Sequence, residues 1–339
     1  MRVLITIVVV VLASSLAHAV DIVTVPVGNP GNAGELSGAG SGAGGYGPDR
    51  ICGAVGYSYK MAKFEVKAGQ YTAFLTAVAG VDAYGLYNAS MWSDTYGCKI
   101  ERYEGNGTQA DPYKYRVASD WANRPVNYVS YWDSCRFANW LHNGQGSGDT
   151  ETGAYTLTLE HIANNTVTRN ADWKWAVTSE DEWYKSAYHK NDGVTGNYWD
   201  YPTGTDSMPG RDMSETTNPG NNANYYGNPY PIDPPHYTTV AGEFELSDSP
   251  YGTFDQGGNV WEWTEGVIGT DRVVRGGSFV FCGTVVAIGL HAAERNHSDE
   301  PSYEGSNVGF RVAEVPEPAT AGLFLLGGLL VARGRRALR

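Results

Sequence analysis

Gly258-Asn259-Val260-Trp261-Glu262-Trp263 is followed within a dozen residues by Arg275-Gly276-Gly277-Ser278-Phe279, and Gly309-Phe310-Arg311 closes the series. Glycines, one acid held between two tryptophans, and two arginines recur there in a fixed order. Asp255 and Glu262 bracket a glycine-rich turn, so two carboxylates and exposed carbonyls could converge on one hard cation. Calcium takes roughly six to eight oxygen ligands of this mixed kind. The other reading is a capped turn whose carboxylates bond backbone amides. Trp261 and Trp263 alternate about Glu262 and are read as core packing, each burying a large apolar area, with ligand stacking as the alternative. Arg275 and Arg311 are read as structural, bonding carbonyls or carboxylates beneath the turn, with ligand contact again the alternative.

Working outward, three short helices have local reasons to form. Tyr71, Phe74, Leu75 and Val78 share one apolar face at helical spacing. Ser130 can cap a second helix through Asp133, with Phe137, Trp140 and Leu141 as its buried stripe. Ser179 followed by Glu182 is a capping box ahead of Trp183, Ala187 and Tyr188. Between them lie stretches rich in Gly, Asn, Pro and Tyr, above all 201–237, with few alternating runs. The chain has 43 glycines, which suit tight turns and weaken long helices. A loop-dominated α+β body with short strands is expected.

These landmarks, in this order, resemble the formylglycine-generating enzyme (sulfatase-modifying factor) family. Lys63-Phe64-Glu65-Val66 with Gln70-Tyr71 and Phe74-Leu75 looks like its opening strand and first helix. Arg124-Pro125-Val126-Asn127-Tyr128-Val129-Ser130-Tyr131 with Ala138-Asn139-Trp140-Leu141 resembles the start of its second helix. The segment from Val177 to Trp183 stands where the family usually has Leu-Pro-Thr-Glu-x-Glu-Trp, and the three glycine blocks follow. The likeness spans nearly all of residues 57–313. It implies an α+β fold with C-type-lectin-like topology and little regular secondary structure. It also implies a calcium site on Asp255, the carbonyls of Gly258 and Val260, and Glu262, with Asp255 replacing a more usual Asn. A second calcium site upstream would draw on Asn224 and Tyr225.

The family's oxidases hold copper through two cysteines five residues apart, just after the Arg-Gly-Gly-Ser-aromatic block. Soft thiolates suit copper(I), so that chemistry depends on the pair. In this chain the two positions fall on Phe281 and Val286. Cys282 is one residue off the first, and on a strand a one-residue shift turns a side chain to the opposite face. Copper is therefore not expected. His291 and His297, six apart with Glu294 between, form no zinc or iron pattern. No G-x-S-x-G elbow is present. The resemblance thus points to a scaffold without its oxidase centre, and a formylglycine-generating oxidase acting on a sulfatase cysteine is the alternative.

The ends and the composition bound the setting. Met1-Arg2, the apolar run 3–12 and Ala17-His18-Ala19 read as a secretory signal over 1–19, the other reading being a buried strand. The glycine-rich stretch within 20–50 reads as a flexible linker, because it buries too little to offset its ordering entropy. The folded body is expected over 51–314. Residues 315–339 join Val315-Pro316-Glu317-Pro318 to an apolar run and four arginines. This resembles a PEP-CTERM sorting tail and implies an exosortase-type processing enzyme; a plain membrane anchor is the other reading. Either way the body would lie outside the cytoplasm, in the periplasm, outer envelope or extracellular matrix, touching membrane only through its tail.

The net charge of −13 repels nucleic acid, whose affinity comes mainly from neutralised phosphates. Ten tryptophans and 23 tyrosines suit a binding surface for a glycan or an envelope protein. Cys52, Cys98, Cys135 and Cys282 could form two disulfides in an exported chain, with the pairing open, or remain free thiols. Cys135 lies in an apolar helical pattern and is expected to be buried.

Overall fold

The computed structural model describes residues 19–214, 220–280 and 288–315. Twelve short strands and five helices are separated by long irregular segments: β1 Thr24–Val27, β2 Glu35–Ser37, β3 Arg50–Cys52, β4 Tyr59–Ala62, α1 Ala68–Val78, α2 Ser90–Ser93, β5 Ile100–Glu104, β6 Lys114–Val117, α3 Tyr131–His142, α4 Leu159–Ala163, β7 Trp175–Val177, α5 Glu180–Tyr188, β8 Trp261–Ile268, β9 Asp271–Arg275, β10 Ser298–Asp299, β11 Val308–Phe310 and β12 Val312–Glu314. This is the loop-rich α+β arrangement that the residue pattern implies. Among the described residues, no helix is long and apolar enough to cross a membrane.

The three helices read from the sequence form for the reasons given. In α3 the Ser130 hydroxyl accepts from Asp133 N at 3.1 Å, and the Asp133 carboxylate accepts from Ser130 N at 3.0 Å, satisfying two orphan donors reciprocally. Ser179 and Glu182 do the same for α5. α1 buries Tyr71, Phe74 and Leu75 against α3, where Phe137 meets Phe74 and Phe310 edge-on at 5.4 and 5.3 Å between ring centres. These rings, with Trp261 and Trp263, form the main core.

Two four-stranded sheets frame that core, in the orders β1-β4-β12-β7 and β10-β9-β8-β11. β11 runs parallel to β8, and β12 antiparallel to β4 and β7. One residue, Arg311, separates β11 from β12, so the chain leaves one sheet and joins the other at that guanidinium. The opening strand differs slightly from expectation, lying over Tyr59–Ala62 rather than on Lys63–Val66.

The linker expectation for 20–50 is corrected. β1 pairs with β4, β2 pairs with β3, and Gly38 N and Tyr46 N both donate to Ala293 O. Arg295 N donates in turn to Tyr46 O at 2.8 Å. The glycines here serve close approach rather than mobility. At Gly47, with φ of 89°, an added Cβ would run into the Arg295 backbone. The folded body therefore begins near Val23, not at 51. The expected leader over 1–19 and tail over 315–339 fall outside the described residues, save Ala19 and Val315.

Candidate functional site

β8 lies between β9 and β11, and that order brings the three glycine blocks side by side. Glu262 stands opposite Arg275 across the antiparallel pair and beside Gly309 across the parallel one. Gly309 is needed there: an added Cβ would come within 2.5 Å of Val126 O. Side chains alternate along a strand, so Trp261 and Trp263 enter the main core while Glu262 faces α5. Trp263 donates its indole N–H to Val129 O at 2.9 Å, and Trp261 stacks on His297 at 4.1 Å.

Glu262 is wholly buried and fully engaged. Arg311 Nε and Nη2 each donate to it at 2.6 Å in a fork, and Trp183 Nε1 donates at 2.7 Å. Arg311 also bonds Ala62 O at 3.0 Å and Phe254 O at 2.9 Å, tying both sheets and the turn to one carboxylate. Asp255, in the left-handed region at φ 59°, accepts from Gly242 N at 2.6 Å. A third acid, Glu65, lies under the same turn and accepts from Val260 N and Asn259 Nδ2, both at 3.3 Å. Burial, then the charges of Asp255 and Glu262, push Glu65 well above the usual carboxylate range. Burial pushes Asp255 up to about 6.

This arrangement is the test of fit for calcium. Three carboxyls face one guanidinium, so the turn is short of positive charge, and every nearby donor atom is oxygen, the hard-cation set. A cavity of about 10 Å³, room for one water-sized group, is lined by Asp255, Gln256, Asn222 and Ser247. Among the described residues, no three His, Cys, Asp or Glu side chains converge tightly enough to hold a metal by themselves. Calcium would therefore rely on the carbonyls of Gly258 and Val260 together with Asp255, and Glu262 would have to share its oxygens with Arg311. Asn224 and Tyr225 serve the turn in another way. Asn224 O accepts from Asn259 N, the Asn224 amide donates to Tyr237 O and Asn259 Oδ1, and the Tyr225 hydroxyl donates to Pro209 O.

The ligand-contact alternative for Trp261, Trp263, Arg275 and Arg311 is overturned. All four are at most 1% exposed, and Trp263, Arg275 and Arg311 engage their polar groups internally, leaving no face for a ligand. Cys52, Cys98 and Cys135 are free buried thiols, so no disulfide joins them; Phe281, Cys282 and Val286 lie outside the described residues. These thiols do not fit copper(I). Burial pushes Cys98 up to about 11 and raises Cys52 and Cys135 as well, disfavouring the thiolates that would bind it.

Sequence reading missed a second charged centre, around Glu180. Arg275 Nη2 donates to it at 2.6 Å, Arg295 Nε and Nη2 at 2.9 and 3.0 Å, and Arg50 Nη1 lies 3.7 Å away. Asp181 takes the Arg50 fork at 2.8 and 2.6 Å. Glu65 was missed likewise. For Glu65 the signal is an acid between Phe64 and Val66, which a surface position shows equally; Glu180, between Ser179 and Asp181, carries none.

Comparison with known proteins completes the picture. No curated protein matches the chain. Among solved structures it is similar to Treponema denticola variable protein 1, at 17% identity over 86% of this chain and 95% of that one, with a TM-score of 0.49. CarF is similar at 18% identity over 88% and 99%, TM-score 0.45, and PvdO from Pseudomonas aeruginosa at 16% over 86% and 94%, TM-score 0.48. The model of the sulfatase-modifying factor enzyme 1-like domain matches residues 23–315, from the β1 region to the end of β12. The chain belongs to the sulfatase-modifying factor (FGE-sulfatase) domain family.

Proposed function

We propose that this chain is a non-catalytic member of its family, exported and held at the cell envelope or extracellular matrix as a binding or structural module. The observation that carries this reading is the register after Phe279. The family's two thiol positions fall on Phe281 and Val286, which offer copper no ligand. The three described thiols are buried, and burial raises each of them, which disfavours the thiolate and adds support. The signal segment and the Pro-Glu-Pro tail support export and processing by an exosortase-type enzyme. The acidic surface weighs against nucleic acid and is compatible with a glycan or envelope protein partner.

Copper stoichiometry tests the reading. Purified protein offered copper(I) against a competing chelator is expected to retain only substoichiometric metal and to leave a sulfatase-derived cysteine peptide unchanged. One tightly held copper per chain that is lost in Cys282→Ser, or aldehyde on the peptide, would instead support the formylglycine-generating oxidase that family membership favours.

Calcium belongs to the same proposal, held by Asp255, the carbonyls of Gly258 and Val260, and Glu262, where it would supply the missing positive charge. Calcium at ten times its dissociation constant stabilises by about 1.4 kcal/mol, a rise of roughly 2–3 °C in Tm for a domain of this size. Asp255→Ala is expected to abolish the rise. Equal shifts in both proteins would remove calcium from this turn.

A further inference from the structure

The binding role proposed above has no surface assigned to it, and one groove has chemistry that selects a ligand class. A groove of about 730 Å³ lies between α4, the turn joining β8 to β9 and the segment after β10. Pockets of roughly 300–1,000 Å³ hold ordered ligands. Its apolar part comes from Ile162, Ala163, Val267, Pro301 and the edge of Trp132. Leu159 stands one turn before Ile162 and Ala163 on the same helical face and is 88% exposed, the most exposed large apolar side chain among the described residues. Val267, 46% exposed, faces solvent across the groove. The apolar strip thus continues past the rim without a partner.

The polar part is rich in acceptors and poor in donors. Asn164 and Asn165 donate to Glu160 O and Thr270 O, at 2.9 and 2.8 Å. The Thr270 and Ser302 hydroxyls are directed to Asp271 and Glu300. No Lys, Arg or His lines the groove. The nearest guanidinium, Arg272, is 3% exposed and donates inward to Asn165 Oδ1, Val167 O and Glu265 O at 2.6, 2.9 and 3.0 Å. What remains for a ligand is carboxylate oxygen on Asp271 and Glu300. Asp299 adjoins them; burial raises its carboxyl, His297 opposes that rise, and the charge of Asp271 adds to it. A ligand must therefore bring the donors and the positive charge. A neutral saccharide would leave the charge of these carboxylates unbalanced, and a phosphate would be repelled.

We propose that this groove binds a basic, partly apolar peptide segment of a partner protein. Lysine or arginine side chains meet Asp271 and Glu300, and an apolar side chain lies on the strip formed by Leu159, Ile162 and Val267. The proposal deepens the binding-module reading and rests on it.

The probe is a fluorescein-labelled peptide of twelve residues alternating lysine and leucine, titrated with the full chain and read by anisotropy. Saturable binding is expected, weakening as salt rises because the contact charges are exposed. The double variant Asp271→Asn/Glu300→Gln is expected to lose about tenfold in affinity, a change of about 1.4 kcal/mol. Leu159→Ser, at a side chain too exposed to matter for folding, is expected to lose several-fold. Unchanged affinity in both variants, equal binding of the peptide with glutamate in place of lysine, or displacement by a neutral oligosaccharide would each overturn the proposal. If the peptide fails while the protein still binds an envelope fraction, the groove assignment falls and the binding-module reading stands. If neither binds, both fall.

Discussion

Glu262→Ala is expected to lower the stability of the folded chain by about 3–5 kcal/mol, the usual cost of removing one partner from a buried ion pair. The reason is Arg311, wholly buried, whose fork to Glu262 is its one ion pair among the described residues. Alanine would also strand the Trp183 indole N–H and open a cavity between α5 and β8. Because Arg311 sits where the chain passes from β11 to β12, the damage reaches both sheets. A loss of this size corresponds to a fall in Tm on the order of 10 °C in a domain this large. Urea unfolding of the single and double variants decides the matter. If the charge pair is responsible, Glu262→Met/Arg311→Met loses well under the sum of the two single losses, since neither member of the pair is left without the other. Strict additivity would mean that the pair is not the source of the loss.

The residues that were legible in the sequence share a property: their partners are close along the chain or their spacing is periodic. The capping boxes at Ser130 and Ser179 each close within three residues, and the apolar face of α1 repeats at helical intervals. The glycine blocks could be recognised as a set, but not why they belong together. That answer is the β9-β8-β11 order, which joins Glu262 to residues 49 positions away. The stretch 20–50 was misread because glycine has two uses, freedom and close approach, and composition does not separate them. Only the pairing of Gly38 and Tyr46 with Ala293, more than 240 positions along, decides it. Glu65 and Glu180 were illegible for a related reason. A buried acid differs from a surface acid only in its partners, and those of Glu180 lie 95 and 115 residues away.

Glu180→Gln should separate charge from shape at that second centre, with the effect set by pH. Burial alone would raise this carboxyl, but the charges of Arg275 and Arg295 outweigh it and hold it down at about 2. A group held lower in the folded chain than in the unfolded one adds stability that is complete above its unfolded value, near 4.5. That contribution fades as pH falls through 2. Ionised Glu180 is therefore worth about 3 kcal/mol at neutral pH. Glutamine fills the same space but leaves Arg275 and Arg295 around a neutral amide, and neighbouring Asp181 is already forked to Arg50. The variant should be less stable than the parent by about 3–5 kcal/mol at pH 7. Its disadvantage should shrink steadily below pH 4.5, so that the two stability curves converge in acid. Parallel curves through that range would mean that Glu180 contributes packing and hydrogen bonds but no net charge stabilisation. Arg275 also braces Ser37 and the turn at Glu294, and Arg295 donates to Pro48 O at 3.3 Å. Loosening them should expose 38–47 to limited proteolysis before the rest of the body, and cleavage elsewhere first would contradict that coupling.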